Sequence, residues 1–175
     1  NGSVMSDHSS IYFLNPTLGY RSTMQNWIQK TIDTGITWQN VYNSTGGSFF
    51  PGTSKMVFPN SQVGYLAQSR FSQVKSITKT LDGGITWNDL TIPSNLFPYS
   101  CNFFNTMSGI CVGRFGGVSR TADGGQTWTT PDSISNYTLY DIAFVNDSIG
   151  YIVGGFNQYD NSSVRKGVIL KTIDR

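Results

Sequence analysis

The sequence predicts an all-β fold, a β-propeller of about four four-stranded antiparallel blades. An eight-residue motif, T-x-D-x-G-x-T-W, occurs at 31–38, 80–87 and 121–128, and a fourth copy begins at Thr172. We call this motif the box. Its aspartates recur at intervals of 49, 41 and 51 residues, and a period of about 40–50 residues is typical of propellers. The chain is also rich in Thr, Val, Ile and aromatic residues, which favour strands, and it contains no glutamate.

A second pattern divides each repeat into strands. Before each box, an apolar run ends at an asparagine and is followed four residues later by glycine: Asn15 and Gly19, Asn60 and Gly64, Asn105 and Gly109, Asn146 and Gly150. The apolar run predicts strand A, the glycine begins strand B, strand C enters the box and strand D leaves it through the tryptophan. Representative spans are Tyr140–Val145 for A, Gly150–Gly154 for B, Val168–Thr172 for C and Thr127–Thr130 for D. The predicted blades cover 7–53, 54–96, 97–136 and 137–175 as one propeller domain or a fragment of one.

The residue types of the box predict a turn between strands C and D. An aspartate carboxylate can accept hydrogen bonds from backbone N–H groups of its own turn, glycine supplies a positive φ, and tryptophan packs a large ring between strands or blades. We therefore assign structural roles to Asp33, Gly35, Trp38, Asp82, Gly84, Trp87, Asp123, Gly125, Trp128 and Asp174.

The fourth blade has no predicted strand D. Three sources remain open for that strand: Gly2–Ser6 of the same chain, a second copy of the chain, or residues beyond the given sequence. A partial or self-assembling propeller is favoured over a closed four-bladed ring. Two copies could form an eight-bladed ring about a two-fold axis.

The wording of the boxes, "KTLDGGITW" and "RTADGGQTW", together with the Gly-Tyr of strand B, resembles the Asp-box (BNR) repeat. That repeat occurs in sialidases, sortilin-type receptors, xyloglucan-degrading hydrolases and the photosystem II assembly factor family, and this chain is most similar to the last group and to secreted bacterial BNR-repeat proteins. The resemblance implies a propeller fold and leaves the function open, because these families share the box and not the chemistry.

In a propeller the boxes lie at the end of the blades opposite the variable B–C and D–A loops, so we expect a ligand at the loop end. Arginines fall in or beside successive B–C segments, with aromatic residues between them. A row of arginines can bind a carboxylate, a sulfate or an acidic peptide, although solvated loop cations would give the same pattern. The candidate ligand-binding residues are Arg21, Arg70, Arg114, Arg165, Trp27 and Tyr159.

The prediction is a non-catalytic binding or scaffold propeller with a protein or glycan partner. The alternative is part of a secreted glycoside hydrolase, for which Asp141 is the best-placed carboxylate, with no evident partner carboxylate. No cofactor or metal site is expected, since His and Cys do not cluster. A net charge of +2 predicts no nucleic acid, and no apolar run is long enough to span a membrane.

Composition suggests an exported protein, extracellular or periplasmic. Cys101 and Cys111 fall in neighbouring predicted strands. They are either buried small hydrophobic residues or a cross-strand disulfide, and the sequence does not decide between these alternatives.

Overall fold

The computed structural model describes residues 8–23, 27–43, 54–69, 75–155 and 166–173 of the 175-residue chain. These residues form four antiparallel sheets, each built from strands consecutive in sequence. The strands of the first sheet are β1 (His8–Phe13), β2 (Gly19–Thr23), β3 (Trp27–Thr31) and β4 (Gln39–Asn43). Those of the second are β5 (Ser54–Val57), β6 (Gly64–Ser69), β7 (Lys75–Thr80) and β8 (Asn88–Leu90).

The third sheet contains β9 (Pro98–Phe103), β10 (Gly109–Gly113), β11 (Gly117–Thr121) and β12 (Asp132–Ser133), with a 3₁₀ turn at Arg114–Gly116 between β10 and β11. The described part of the fourth sheet has three strands, β13 (Thr138–Phe144), β14 (Gly150–Gly155) and β15 (Gly167–Thr172). We refer to the sheets as blades 1 to 4. This is the predicted all-β architecture of propeller blades, and Gly2–Ser6 lies outside the described residues.

Strand D of blade 3 differs from its prediction. We expected it at Thr127–Thr130, but the paired strand is Asp132–Ser133. Thr129 lies beside β11 and donates its backbone N–H to the Arg120 carbonyl at 2.8 Å. Its hydroxyl accepts the Arg120 N–H at 3.0 Å. The side chain therefore replaces a backbone acceptor, so regular pairing does not start until β12.

The asparagine of each A–B turn explains the fixed spacing to the following glycine. Its Oδ1 accepts two successive backbone N–H groups, as Asn60 does from Gln62 at 2.9 Å and Val63 at 2.7 Å. Asn15, Asn105 and Asn146 make the same pair of bonds in their own turns. An Asx turn of this kind reverses the chain after strand A and starts strand B in the same register in every blade.

Hydrophobic residues fill the spaces between successive blades. We call the sheet face that packs on the next blade in sequence the forward face, and the face that packs on the preceding blade the backward face. Between blades 2 and 3, Tyr65 and Ile77 of the forward face meet Phe103 and the two cysteines of the backward face. Equivalent residues pack between blades 1 and 2 and between blades 3 and 4.

Cys101 and Cys111 are directly opposite each other in β9 and β10, with Cα atoms 4.1 Å apart. In the structure they are joined by a disulfide, and both are buried in the core between blades 2 and 3. The bond links strands A and B of one blade at a position that is occupied by apolar pairs in blades 2 and 4 and by Ile11 and Arg21 in blade 1.

Candidate binding face

The boxes are C–D turns whose aspartates serve the turn itself. Asp82 accepts backbone N–H bonds from Ile85 at 3.0 Å and Thr86 at 2.9 Å, and its second oxygen accepts the Thr86 hydroxyl at 2.6 Å. The Thr80 hydroxyl donates to Asp82 at 2.8 Å and accepts the Gly84 N–H at 2.8 Å. The hydrogen bonds from Thr86 lower the pKa of Asp82 to about 2. This carboxylate is therefore an ionised acceptor committed to its own turn.

Asp33 and Asp123 repeat this arrangement, with their pKa values also lowered to about 2 by the hydroxyl and N–H of Thr37 and Thr127. In each of the three boxes, the tryptophan Nε1 donates to the carbonyl of the box glycine: Trp38 to Gly35, Trp87 to Gly84 and Trp128 to Gly125. All three glycines have positive φ. The assigned residue Asp174 lies outside the described residues.

Two of the four candidate arginines, Arg21 and Arg114, lie within the described residues, and Arg21 does not lie in a loop. Arg21 lies within β2, on the backward face of blade 1, with its guanidinium 4.3 Å from the Trp38 ring centroid and its Nε donating to Gln29 at 2.7 Å. Trp27 begins β3 instead of lying in a loop, and pairs with Asn43. Because side chains alternate between the two faces of a sheet along a strand, Arg21 points to the backward face and not to the loop end. Arg70, Arg165 and Tyr159 lie outside the described residues.

Arg114 is the candidate arginine that the structure places at the loop end. It starts the 3₁₀ turn between β10 and β11 and is only 8% exposed. Its Nε donates to the Tyr99 hydroxyl at 2.8 Å, and its guanidinium carbon lies 5.8 Å from the ring centroids of both Phe97 and Tyr99. A cation between aromatic rings gains electrostatic stabilisation while it is partly withdrawn from water.

Two aromatic side chains extend this cluster to the surface. Tyr140 stacks on Tyr99 with ring planes 9° apart, and Phe115 packs edge-on against Phe97. Tyr140 is 42% exposed and Phe115 is 46% exposed. Phe115 also has φ of 56°, which is uncommon for a residue with a side chain. We call Phe97, Tyr99, Arg114, Phe115 and Tyr140 the aromatic–arginine cluster; it combines a fixed cation with exposed ring surface.

A layer of four side chains lies beside this cluster, one from strand A of each blade. Each of the four precedes a strand-A phenylalanine by three residues. The layer consists of Ser10, Lys55, Ser100 and Asp141. The Lys55 Nζ donates to Asp141 at 3.0 Å, and the Ser100 hydroxyl donates to the same oxygen at 2.7 Å. The layer therefore joins blades 2, 3 and 4 at the loop end of strand A.

No partner carboxylate was expected for Asp141 from the sequence, and the structure pairs it with a lysine and a serine. Burial alone would raise its pKa, but hydrogen bonds from Ser100 and Lys55, together with the Lys55 charge, hold the pKa below its usual value. Lys55 is 86 residues away in sequence, so only an alignment of the four blades on their strand-A phenylalanines would have brought these residues together. The result is an ionised carboxylate paired with a cation.

A cavity of about 270 Å³ lies at the opposite end, between the boxes of blades 1 and 2. Lys30 is the charged residue among those that line it. Within the described ranges, no three His, Cys, Asp or Glu side chains group as metal ligands, and no helix is long and apolar enough to cross a membrane.

Neither a protein-family model nor a curated protein matches this chain. Its fold is similar to that of YCF48 from Cyanidioschyzon merolae, with a TM-score of 0.69 and 14% identity over 95% of this chain and 57% of that one. It is also similar to a YCF48 described as bound to D1 peptide, with a TM-score of 0.62 and 15% identity over 96% of this chain and 70% of that one.

A GH74 enzyme from Niastella koreensis superposes with a TM-score of 0.68 and 18% identity over 92% of this chain, but this chain covers only 27% of the enzyme. At these identities the comparisons show the fold, a BNR-type β-propeller. They do not decide between a binding propeller and an enzyme, because structures of both kinds are similar to the chain.

Proposed function

We propose that this protein is a non-catalytic binding propeller whose loop end takes a protein partner that offers an anionic group beside an apolar one. The observation that carries this proposal is the aromatic–arginine cluster. Arg114 supplies a fixed positive charge, while Tyr140 and Phe115 supply ring surface that water reaches. Tyr, Trp, Phe and Arg are the residue types that dominate the centres of protein interfaces.

A peptide partner is favoured over a glycan by one comparison. A structurally similar YCF48 is described as bound to D1 peptide. A glycan with acidic groups fits the same chemistry, since sugar rings can lie on aromatic side chains, and it forms the second arm of the test.

The experiment is selection of peptides from a random displayed library on the wild-type protein, with a glycan array run in parallel. Selected ligands should bind the Phe115→Ser and Tyr140→Ser variants at least about tenfold more weakly, as loss of an interface anchor implies. The matched control is Met107→Ser, which removes an exposed apolar side chain from an A–B turn at the box end. Equal binding by all three variants would contradict the proposal.

The alternative, part of a glycoside hydrolase, is favoured by the similarity to the GH74 enzyme. Such enzymes need two carboxyl groups across a cleft. Asp141, a carboxylate near the loop end, is instead bonded to Lys55 and Ser100. Hydrolysis of xyloglucan oligosaccharides or sialosides by the wild type, abolished in Asp141→Asn, would establish the enzyme and refute the binding proposal.

We also propose that two copies pair to complete a larger ring and that the protein is exported. The disulfide between Cys101 and Cys111 supports export, because such bonds persist in oxidising compartments. Pairing is supported by the exposed apolar residues on the backward face of blade 1 and the forward face of blade 4. Light scattering tests the pairing through the molar mass in solution.

A further inference from the structure

Tyrosine connects one blade to the box of the next at two interfaces. The Tyr20 hydroxyl of blade 1 donates to the Gly83 carbonyl in the box of blade 2. The Tyr65 hydroxyl of blade 2 is shared between two carbonyls of blade 3, that of Thr106 in the A–B turn at 2.9 Å and that of Gly124 in the box at 3.2 Å. Both rings are fully buried, and their burial raises the pKa of each hydroxyl to about 12. Each hydroxyl is thus a protonated donor.

The ring of each of these tyrosines packs against an aromatic pair of the next blade, a phenylalanine and a tryptophan. Tyr20 stacks on Phe58, which meets Trp87 edge-on with ring planes 87° apart. Tyr65 stacks on Phe103, which meets Trp128 at 89°. The phenylalanine is the last residue of strand A in blade 3 and directly follows strand A in blade 2, and the tryptophan ends the box. The backward face of a blade therefore presents a socket for a tyrosine.

A lysine opposite the tyrosine completes the contact. Lys79 pairs in register with Tyr65, lies over its ring at 5.2 Å, and donates to the Gly124 carbonyl at 2.8 Å. Lys30 holds the same position opposite Tyr20. The box of the next blade therefore accepts a hydrogen bond from a tyrosine hydroxyl at both interfaces and from a lysine ammonium group at one of them.

Blade 4 carries the same pair on its forward face. Tyr151 pairs in register with Lys171, and Val153 pairs with Ile169. Tyr151, Val153 and Ile169 are 39%, 43% and 74% exposed, whereas the equivalent residues of blade 2 are fully buried. Those equivalents are Tyr65, Ala67 and Ile77. The forward face of blade 4 thus has the composition of a blade interface but lies at the surface.

Blade 1 carries the complementary socket on its backward face. Phe13 meets Trp38 edge-on at 80°, in the geometry of the two sockets described above. Phe13 is 40% exposed, compared with 7% for Phe58 and Phe103. A Cβ built on Gly35 would meet only Trp38 and Phe13 of its own blade, at 3.6 Å or more, whereas one built on Gly84 would lie 2.5 Å from the Tyr20 ring. The exposed socket is therefore open beside Gly35, while Arg21 lies over the Trp38 ring.

We infer that blade 4 binds blade 1 of a second copy through Tyr151 and Lys171. Tyr151 stacks on Phe13 of that copy and donates its hydroxyl to the backbone of box 1 at Thr34. Lys171 lies beside Asp33 of the same box, as Lys79 lies beside Asp123. This assignment rests on the proposed pairing of copies. It adds which residues make the contact and which two faces meet, the forward face of blade 4 and the backward face of blade 1.

Cross-linking tests the assignment. A Tyr151→Cys chain and a Thr34→Cys chain are mixed and treated with a short bismaleimide, while the native cysteines are bonded to each other. The mixture should give a covalent dimer, and neither chain alone should give one. A cross-linked monomer formed only by the doubly substituted chain would show that blade 1 of the same chain is the occupant, which overturns the inference. No cross-link in any sample would overturn it as well.

Light scattering separates this inference from the pairing itself. Wild type should have the molar mass of a dimer, and a monomer at about 100 µM would refute the pairing. Ile169→Asp should give a monomer, whereas Val145→Asp, an equally exposed substitution in an A–B turn, should remain a dimer. Tyr151→Phe should raise the dissociation constant about 5- to 100-fold, because a two-fold ring loses two hydrogen bonds. If the wild type is a dimer and neither Ile169→Asp nor Tyr151→Phe weakens that dimer, the pairing of copies stands and this interface is refuted.

Discussion

Replacing box glycines by alanine separates the cost of backbone conformation from the cost of packing between blades. Gly84 and Gly35 have nearly the same φ, 82° and 87°. A left-handed conformation costs a residue with a Cβ about 1–2 kcal/mol, so both substitutions carry that cost. At Gly84 the new Cβ would also lie 2.5 Å from the Tyr20 ring, whereas at Gly35 the nearest atom is 3.6 Å away.

The expected loss in free energy of unfolding is about 1–2 kcal/mol for Gly35→Ala. For Gly84→Ala we expect about 2–5 kcal/mol, because overpacking a filled interface adds about 1–3 kcal/mol. For a chain of this length, 1 kcal/mol corresponds to about 2–4 °C in Tm. Urea unfolding followed by tryptophan fluorescence measures both losses in dilute solution, where pairing of copies contributes little.

A double-mutant cycle identifies the contact responsible. Combining Gly84→Ala with Tyr20→Ala should remove the excess loss at Gly84, because the atoms that collide are then absent. Equal losses at the two glycines would refute the packing argument. An excess that survives in the Tyr20→Ala background would refute the role of Tyr20.

Three further predictions concern the box carboxylates, the disulfide and the Lys55–Asp141 pair. Folding lowers the pKa of Asp82 to about 2, so its contribution to stability should be complete above the unfolded value near 4 and lost as pH falls toward 2. Asp82→Asn should flatten the free energy of unfolding across that window in urea titrations, and an unchanged pH dependence would contradict this prediction. Replacing Cys101 and Cys111 by alanine should lower the free energy of unfolding by about 2–3 kcal/mol in urea unfolding, since the bond closes a loop of ten residues. A loss equal to that caused by reductant in the wild type would support the disulfide. No loss would contradict it. Lys55→Met should raise the pKa of Asp141, measured by NMR titration, while Lys79→Met should not. An unchanged pKa of Asp141 in Lys55→Met would contradict a role for Lys55 in holding the carboxylate ionised.

The sequence was most informative where the structure depends on neighbouring residues. The box forms its hydrogen bonds within eight residues, and the Asx turn forms within four, so residue types at fixed spacing predicted both turns. The repetition of these turns then predicted the blades. Strand D of blade 3 was misplaced because the Thr129 hydroxyl replaces a backbone acceptor, and residue type alone does not show such a replacement.

The candidate site was harder to predict because it depends on residues that are distant in sequence. Both Arg21 and Arg114 were assigned to the segment between strands B and C, yet Arg21 is two residues after its strand-B glycine and packs on Trp38 within a sheet. Arg114 is five residues after its glycine and lies among Phe97 and Tyr99. A shift of one residue along a strand exchanges one sheet face for the other. Counting along the chain therefore located the arginines to a segment but not to a face.

The blades themselves show why tyrosine and lysine should be considered as a pair. In blades 1, 2 and 4, the residue after the strand-B glycine is tyrosine and its partner in strand C is lysine. Blade 3 has Ile110 and Arg120 in these positions, and its interface with blade 4 is an apolar cluster without the tyrosine contact. The two residues change together within one chain, and between blades 2 and 3 both of them donate to the box of the next blade. Tyr151 and Lys171 retain that pair on a face that no described blade covers, so their chemistry is that of an interface and not of an ordinary solvated strand.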